Sequence, residues 1–125
     1  MNYLGTSSLA AFLTTSDAER ARQFFAGTLG LTFVSEDQYA VVFDAHGTTL
    51  RIQKVPGVEP RQFTVLGWHV DDIAAAVAAL STKGVVFERY DFMHPDEAGI
   101  VTFENGARVA WFKDPDGNLL SLDQY

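Results

Sequence analysis

A chain of 125 residues, 47% hydrophobic and without cysteine, excludes disulfides, thiolate metal sites and cysteine nucleophiles, yet can bury about two-thirds of its unfolded surface. Nine Lys and Arg against sixteen Asp and Glu give a formal charge of −7, which repels phosphate backbones and anionic lipids, so neither nucleic acid nor membrane is an expected partner. The opening residues Met1-Asn2-Tyr3-Leu4-Gly5-Thr6 lack a basic start and a continuous apolar core, and no apolar run reaches spanning length, so a soluble, cytoplasmic protein is expected.

In chain order, residues 9–14 read as a strand. Thr15-Ser16-Asp17 then caps a helix expected over 18–27, with Ala21, Phe24 and Phe25 at helical spacing, and Gly30 closes the turn into Leu31-Thr32-Phe33. Residues 39–44 and 49–53 form a hairpin around His46-Gly47. Two prolines and a glycine make 55–61 the one linker-like stretch. The same succession then recurs. Residues 64–70 read as a strand, Asp71-Asp72 caps a helix over 73–82, Gly84 leads into Val85-Val86-Phe87, and 108–112 turns at Asp116-Gly117 into 119–123.

Asp17 and Asp72 are offset by 72 − 17 = 55, and Phe33 and Phe87 by 87 − 33 = 54, so the chain states βαβββ twice. One domain is expected, with modules over about residues 7–54 and 63–125 and a linker over 55–62. A single helix covers only one face of a four-stranded sheet, so the other face needs a partner. Two modules side by side predict an α+β fold, a curved eight-stranded mixed sheet around a cleft with the helices outside. Strand alternation puts Leu9, Leu13, Leu50, Ile52, Trp68, Leu120 and Leu122 under the helices. It turns Phe12, Arg51, Gln53, Val65, Gly67, His69, Leu119, Ser121 and Asp123 toward the cleft. His46, at a hairpin tip, and His94, in the acidic loop 91–97, are expected to be exposed. No nucleophile set, phosphate loop or paired carboxylates emerge, and no catalytic residue is assigned.

Three motifs in order, Ala26-Gly27-Thr28-Leu29-Gly30-Leu31, His69-Val70-Asp71-Asp72 and Asp114-Pro115-Asp116-Gly117-Asn118 with the strand after it, make the chain resemble the vicinal oxygen chelate superfamily of glyoxalases, extradiol dioxygenases and bleomycin resistance proteins. The resemblance implies metal ligands on the first and last strand of each module, and those positions fall here on Ala10, Arg51, Val65 and Ser121. Two have no donor atom, a hydroxyl is a poor ligand, and a guanidinium repels a divalent cation. The expectation is therefore a binding protein without metal or other cofactor, of the bleomycin-resistance kind, taking a hydrophobic or cationic small molecule against Arg51, His69, Ser121, Phe12, Val65 and Trp111. The resemblance also implies a homodimer. The alternative is a metal-dependent lyase, isomerase or dioxygenase with one divalent ion on a displaced set of His69, Gln53 and Asp123.

Overall fold

Each half of the repeat becomes a four-stranded mixed sheet with its own helix in the computed structural model, which describes residues 3–125. The chain divides into two compact units at Glu59 and Pro60. The α+β class and the doubled module are as the sequence predicts, with the eight strands divided into two open sheets.

In the first unit, strand β1 (Ala10–Thr15) leads to helix α1 (Ala18–Arg22), whose first turn is capped by the Asp17 carboxylate accepting from Arg20 N at 3.2 Å. The helix does not run on regularly to Gly27. Residues Gln23–Thr28 widen into a π turn in which Leu29 N donates to Phe24 O, five residues back, at 2.9 Å. Phe25 remains in the core at 1% exposure, against Phe43 at 5.9 Å. Strands β2 (Thr32–Glu36), β3 (Ala40–Ala45) and β4 (Thr48–Lys54) complete the sheet in the order β1-β4-β3-β2, with β1 parallel to β4. Leu13, Leu50 and Ile52 are buried as alternation requires. Leu9 is not: it lies ahead of β1, beyond the reach of the helix, and is exposed.

The second unit repeats this topology, with order β5-β8-β7-β6 for β5 (Thr64–His69), β6 (Val101–Thr102), β7 (Arg108–Lys113) and β8 (Leu119–Gln124). Helix α2 occupies Ile73–Thr82, the expected span, with Asp72 accepting from Ala75 N at 3.0 Å. The first helical amide, Ile73 N, donates to Gln124 Oε1 at 2.8 Å, which ties the helix start to the last strand. Ile73, Val77, Phe87, Phe112, Leu120 and Leu122 form the core beneath it.

The departure lies at the sheet edge. Phe87 makes a single bridge to Phe112, as Phe33 pairs with Phe43 in the first unit, but no strand grows from Val85 to Phe87. The chain leaves the sheet and returns only at β6, where Val101 and Thr102 pair with Val109 and Arg108. Twenty-five positions separate the bridged phenylalanines here, against ten in the first unit (112 − 87 and 43 − 33). The excursion is held by Arg89, whose Nη1 donates to Asp96 O at 2.9 Å, and by Asp96, whose Oδ1 accepts from Ala98 N and Ile100 N, both at 2.9 Å.

Candidate functional site

On the sheet face away from α2, the register stacks side chains in rows, since directly paired residues share a face. Thr64, Leu119 and Lys113 form one row, Gly67, Ser121 and Trp111 the next, and His69, Asp123 and Val109 the third. Between Thr64 and Leu66 the register slips, so Val65 is a bulge residue with no partner of its own. The middle row is tight: a Cβ on Gly67 would lie 2.6 Å from Ser121 Oγ, so only glycine admits the buried serine as it stands.

Over the first two rows opens a pocket of about 730 Å³, contained within the second unit. Its floor is Thr64, Leu119, Trp111 and Lys113. One wall is the segment Pro60-Arg61-Gln62-Phe63 entering β5, seated on the turn after β7: Gly117 has φ 90°, and a Cβ there would come within 3.2 Å of Pro60 Cγ. The opposite wall is the excursion from the sheet edge, with Glu88, Tyr90, Phe92 and Met93. Tyr90 meets Trp111 edge to face at 5.6 Å and Phe92 at 6.3 Å, while Phe63 and Phe92 are largely exposed at the rim. Glu88 N donates to Trp111 O at 2.8 Å, and its carboxylate pairs with Lys113 Nζ at 3.3 Å. Such a surface offers a flat apolar molecule stacking partners and little that could activate a bond.

The turn beneath the rim is set by Asp114, which is buried and whose Oδ1 accepts from Asp116 N at 3.0 Å and Asn118 N at 2.9 Å, while Oδ2 accepts from Asn118 Nδ2 at 2.8 Å. Burial raises its pKa above the ordinary 3.8, outweighing these donors. Gly117 alone in this turn takes a positive φ.

Of the residues expected to touch ligand, Trp111 lines this pocket, and Ser121 lies beside it on β8. Val65 stands at the bulge, partly exposed. His69 is on the third row, at the far end, where its Nδ1 contacts Asp123 Oδ1 and its ring lies 5.4 Å from that of Tyr125. Phe12 and Arg51 are paired neighbours on β1 and β4 of the first unit; Phe12 is 53% exposed and Arg51 is half-buried, with no ion pair among the described residues of that unit. His46 and His94 are exposed, both with positive φ. Tyr90, Phe92 and Met93 are not among the residues that the sequence points to, since 91–97 reads as an acidic loop. The available signal was the unequal spacing of the two modules, together with aromatic residues where a plain loop needs none.

The positions that the resemblance marks for metal ligands can be placed on the strands. In the first unit they are Ala10 and Arg51, and in the second Val65 and Ser121, whose Oγ is packed onto Gly67. Of the displaced set, His69 and Asp123 meet on neighbouring strands, while Gln53 belongs to β4 of the first unit. No group of three or more His, Asp or Glu able to hold an ion exists among the described residues. Among the same residues, no helix is long and apolar enough to cross a membrane.

A doubled βαβββ module with an aromatic pocket on one sheet defines the class of protein. The sequence profile of the Glyoxalase/Bleomycin resistance protein/Dioxygenase superfamily matches residues 7–122, and the chain belongs to that superfamily. A superfamily member from Sphaerobacter thermophilus is similar at 26% identity and TM-score 0.75, over 96% of this chain and 98% of the other. TnmS3, an antibiotic binding protein from Streptomyces, is similar at 25% identity and TM-score 0.72, over 95% of each chain. A lactoylglutathione lyase from Agrobacterium tumefaciens shares the fold at 14% identity and TM-score 0.73, over 95% of this chain and 93% of the other. No protein with a curated description matches the sequence.

Proposed function

We propose that this chain is a metal-independent small-molecule-binding protein whose ligand, a planar hydrophobic molecule, lies in the pocket of the second unit. The observation that carries the reading is the aromatic lining of a drug-sized cavity, with Tyr90 set edge-on against Trp111. Absence of donor atoms at Ala10 and Val65 argues against the metal chemistry of the enzymes in the superfamily. The likeness to an antibiotic binding protein supports the same assignment. Sequestration needs no nucleophile or proton relay, which agrees with a wall of ring faces and one ion pair. The proposal extends to a soluble homodimer of the cytoplasm, as the resemblance implies, and light scattering at micromolar concentration tests the dimer.

The chain has two tryptophans, and Trp68 is stacked under the helix on Phe112 at 6.4 Å, so W68F leaves Trp111 as a single reporter in the pocket. Titration of W68F with a panel of planar polycyclic compounds is expected to give saturable quenching by at least one member. Y90A, made in the W68F background, is expected to weaken that binding about three- to tenfold through the lost ring contact. A panel without any saturable response on folded protein sinks the proposal.

A metal-dependent enzyme is the second reading, favoured only by the meeting of His69 and Asp123.

A further inference from the structure

The charge of the whole chain and the charge of the pocket have opposite signs. Three charged side chains line the pocket, Arg61, Lys113 and Glu88. Glu88 is engaged by Lys113 at 3.3 Å, which leaves Arg61 on the opposite wall with no ion pair inside its unit. The lining therefore carries a formal +1 within a protein of −7.

Which sign governs a ligand is decided by range. At physiological ionic strength charges are screened beyond about 8 Å, so the acidic surface elsewhere acts on approach, while the guanidinium acts on the bound molecule. A cation seated on Trp111 would find the one carboxylate of the lining already paired with Lys113. An anion would find in Arg61 a planar donor fork that cannot lose its proton and matches a carboxylate two-to-two.

Resting on the pocket assigned above, we propose that its ligand is a planar aromatic acid: the ring system lies against Tyr90 and Trp111, and the carboxylate, or an equivalent anionic oxygen pair, is held by Arg61. This reverses the preference for cationic ligands that the composition suggests.

The experiment uses the W68F protein and three isosteric probes: anthracene-2-carboxylate, anthracene-2-carboxamide and 2-(aminomethyl)anthracene as its ammonium. The carboxylate is expected to bind about two- to fivefold more tightly than the amide, the range of an exposed charged pair, and the ammonium most weakly. R61Q is expected to erase the difference between carboxylate and amide. Arg61 is an exposed linker residue, so this variant should fold as the parent does. Equal binding of carboxylate and amide by the parent, or a ranking led by the ammonium, overturns the aromatic-acid assignment and leaves the pocket standing. A ranking preserved in R61Q removes Arg61 as the anion holder. Failure of all three probes overturns the pocket reading, and this inference with it.

Discussion

Asp114 and Asp37 are both aspartates that organise turns, and their surroundings move them in opposite directions. Asp114 is held above 3.8 by burial, so between 3.8 and its raised value the folded chain binds more protons than the unfolded one. Its contribution to stability accordingly falls as pH rises through that window and is level above it. Asp37 is lowered by the amides of Tyr39 and Ala40, so its contribution is complete above 3.8 and is lost as pH falls through the lowered value. Denaturant titrations of the parent and D114N between pH 3 and 7 are expected to show the falling component in the parent alone; an unchanged profile would place the titration elsewhere. D114A removes the carboxylate that accepts from Asn118 N and Nδ2 and is expected to cost about 1–3 kcal/mol in urea unfolding at pH 7. At the tip of the β3–β4 hairpin, His46 has φ 50° and Gly47 φ 93°, the two left-handed positions of a type I′ turn. Asparagine occupies the first of these at less cost than histidine, so H46N is expected to stabilise the chain by about 0.3–1 kcal/mol, read as a raised urea midpoint at constant slope.

Among the elements, the turn between β7 and β8 does two things at once. It reverses the chain through Gly117, and it gives Pro60 a seat that forms one wall of the pocket. Gly106, with φ 88° and open space where its Cβ would go, separates these roles. G106A and G117A are each expected to lose about 1–2 kcal/mol to backbone strain, but only G117A should also weaken quenching of Trp111 by a bound polycycle, because only there must the proline move. Equal binding by the two variants would mean that the Pro60 seat does not shape the pocket. The same end of the molecule shows what a sequence discloses and what it hides. Alternating strands, the capping aspartates at 17 and 72 and the Asp-Gly turn are local and periodic, so the βαβββ repeat was legible in them. The edge excursion was not, because Val85-Val86-Phe87 has strand-like composition and only its failure to find partners beyond Phe112 ends it. Pairing is a property of two segments, so Tyr90 and Phe92 could not be placed opposite Arg61 and Phe63 without the register. The π turn at Gln23–Thr28 escaped for a related reason: Phe24 and Phe25 fit helical spacing well, and the extra residue appears only in which carbonyl Leu29 and Leu31 bond.

For the molecule as a whole, the measurable contrast is with the metal ligands that the resemblance implies, at positions that here hold alanine, arginine, valine and serine. Binding linkage makes the contrast measurable without any assay of activity. A divalent ion bound only by the folded state, at one hundred times its dissociation constant, adds about 2.7 kcal/mol of stability. For a chain of this size that would raise the melting temperature by roughly 10 °C. Metal-stripped protein scanned with and without 0.1 mM manganese, iron(II), nickel or zinc is expected to shift by less than about 1 °C, since His69 and Asp123 offer two donors on an exposed sheet end and tetrahedral or octahedral sites require more. A shift of several degrees with one metal alone, abolished in H69A and D123A, would establish the displaced site and transfer the chain to the enzymes of its superfamily. A shift that survives both substitutions would require donors other than this pair. With no shift, and with polycycle binding to W68F unaffected by chelator, the aromatic pocket of the second unit acts without a metal.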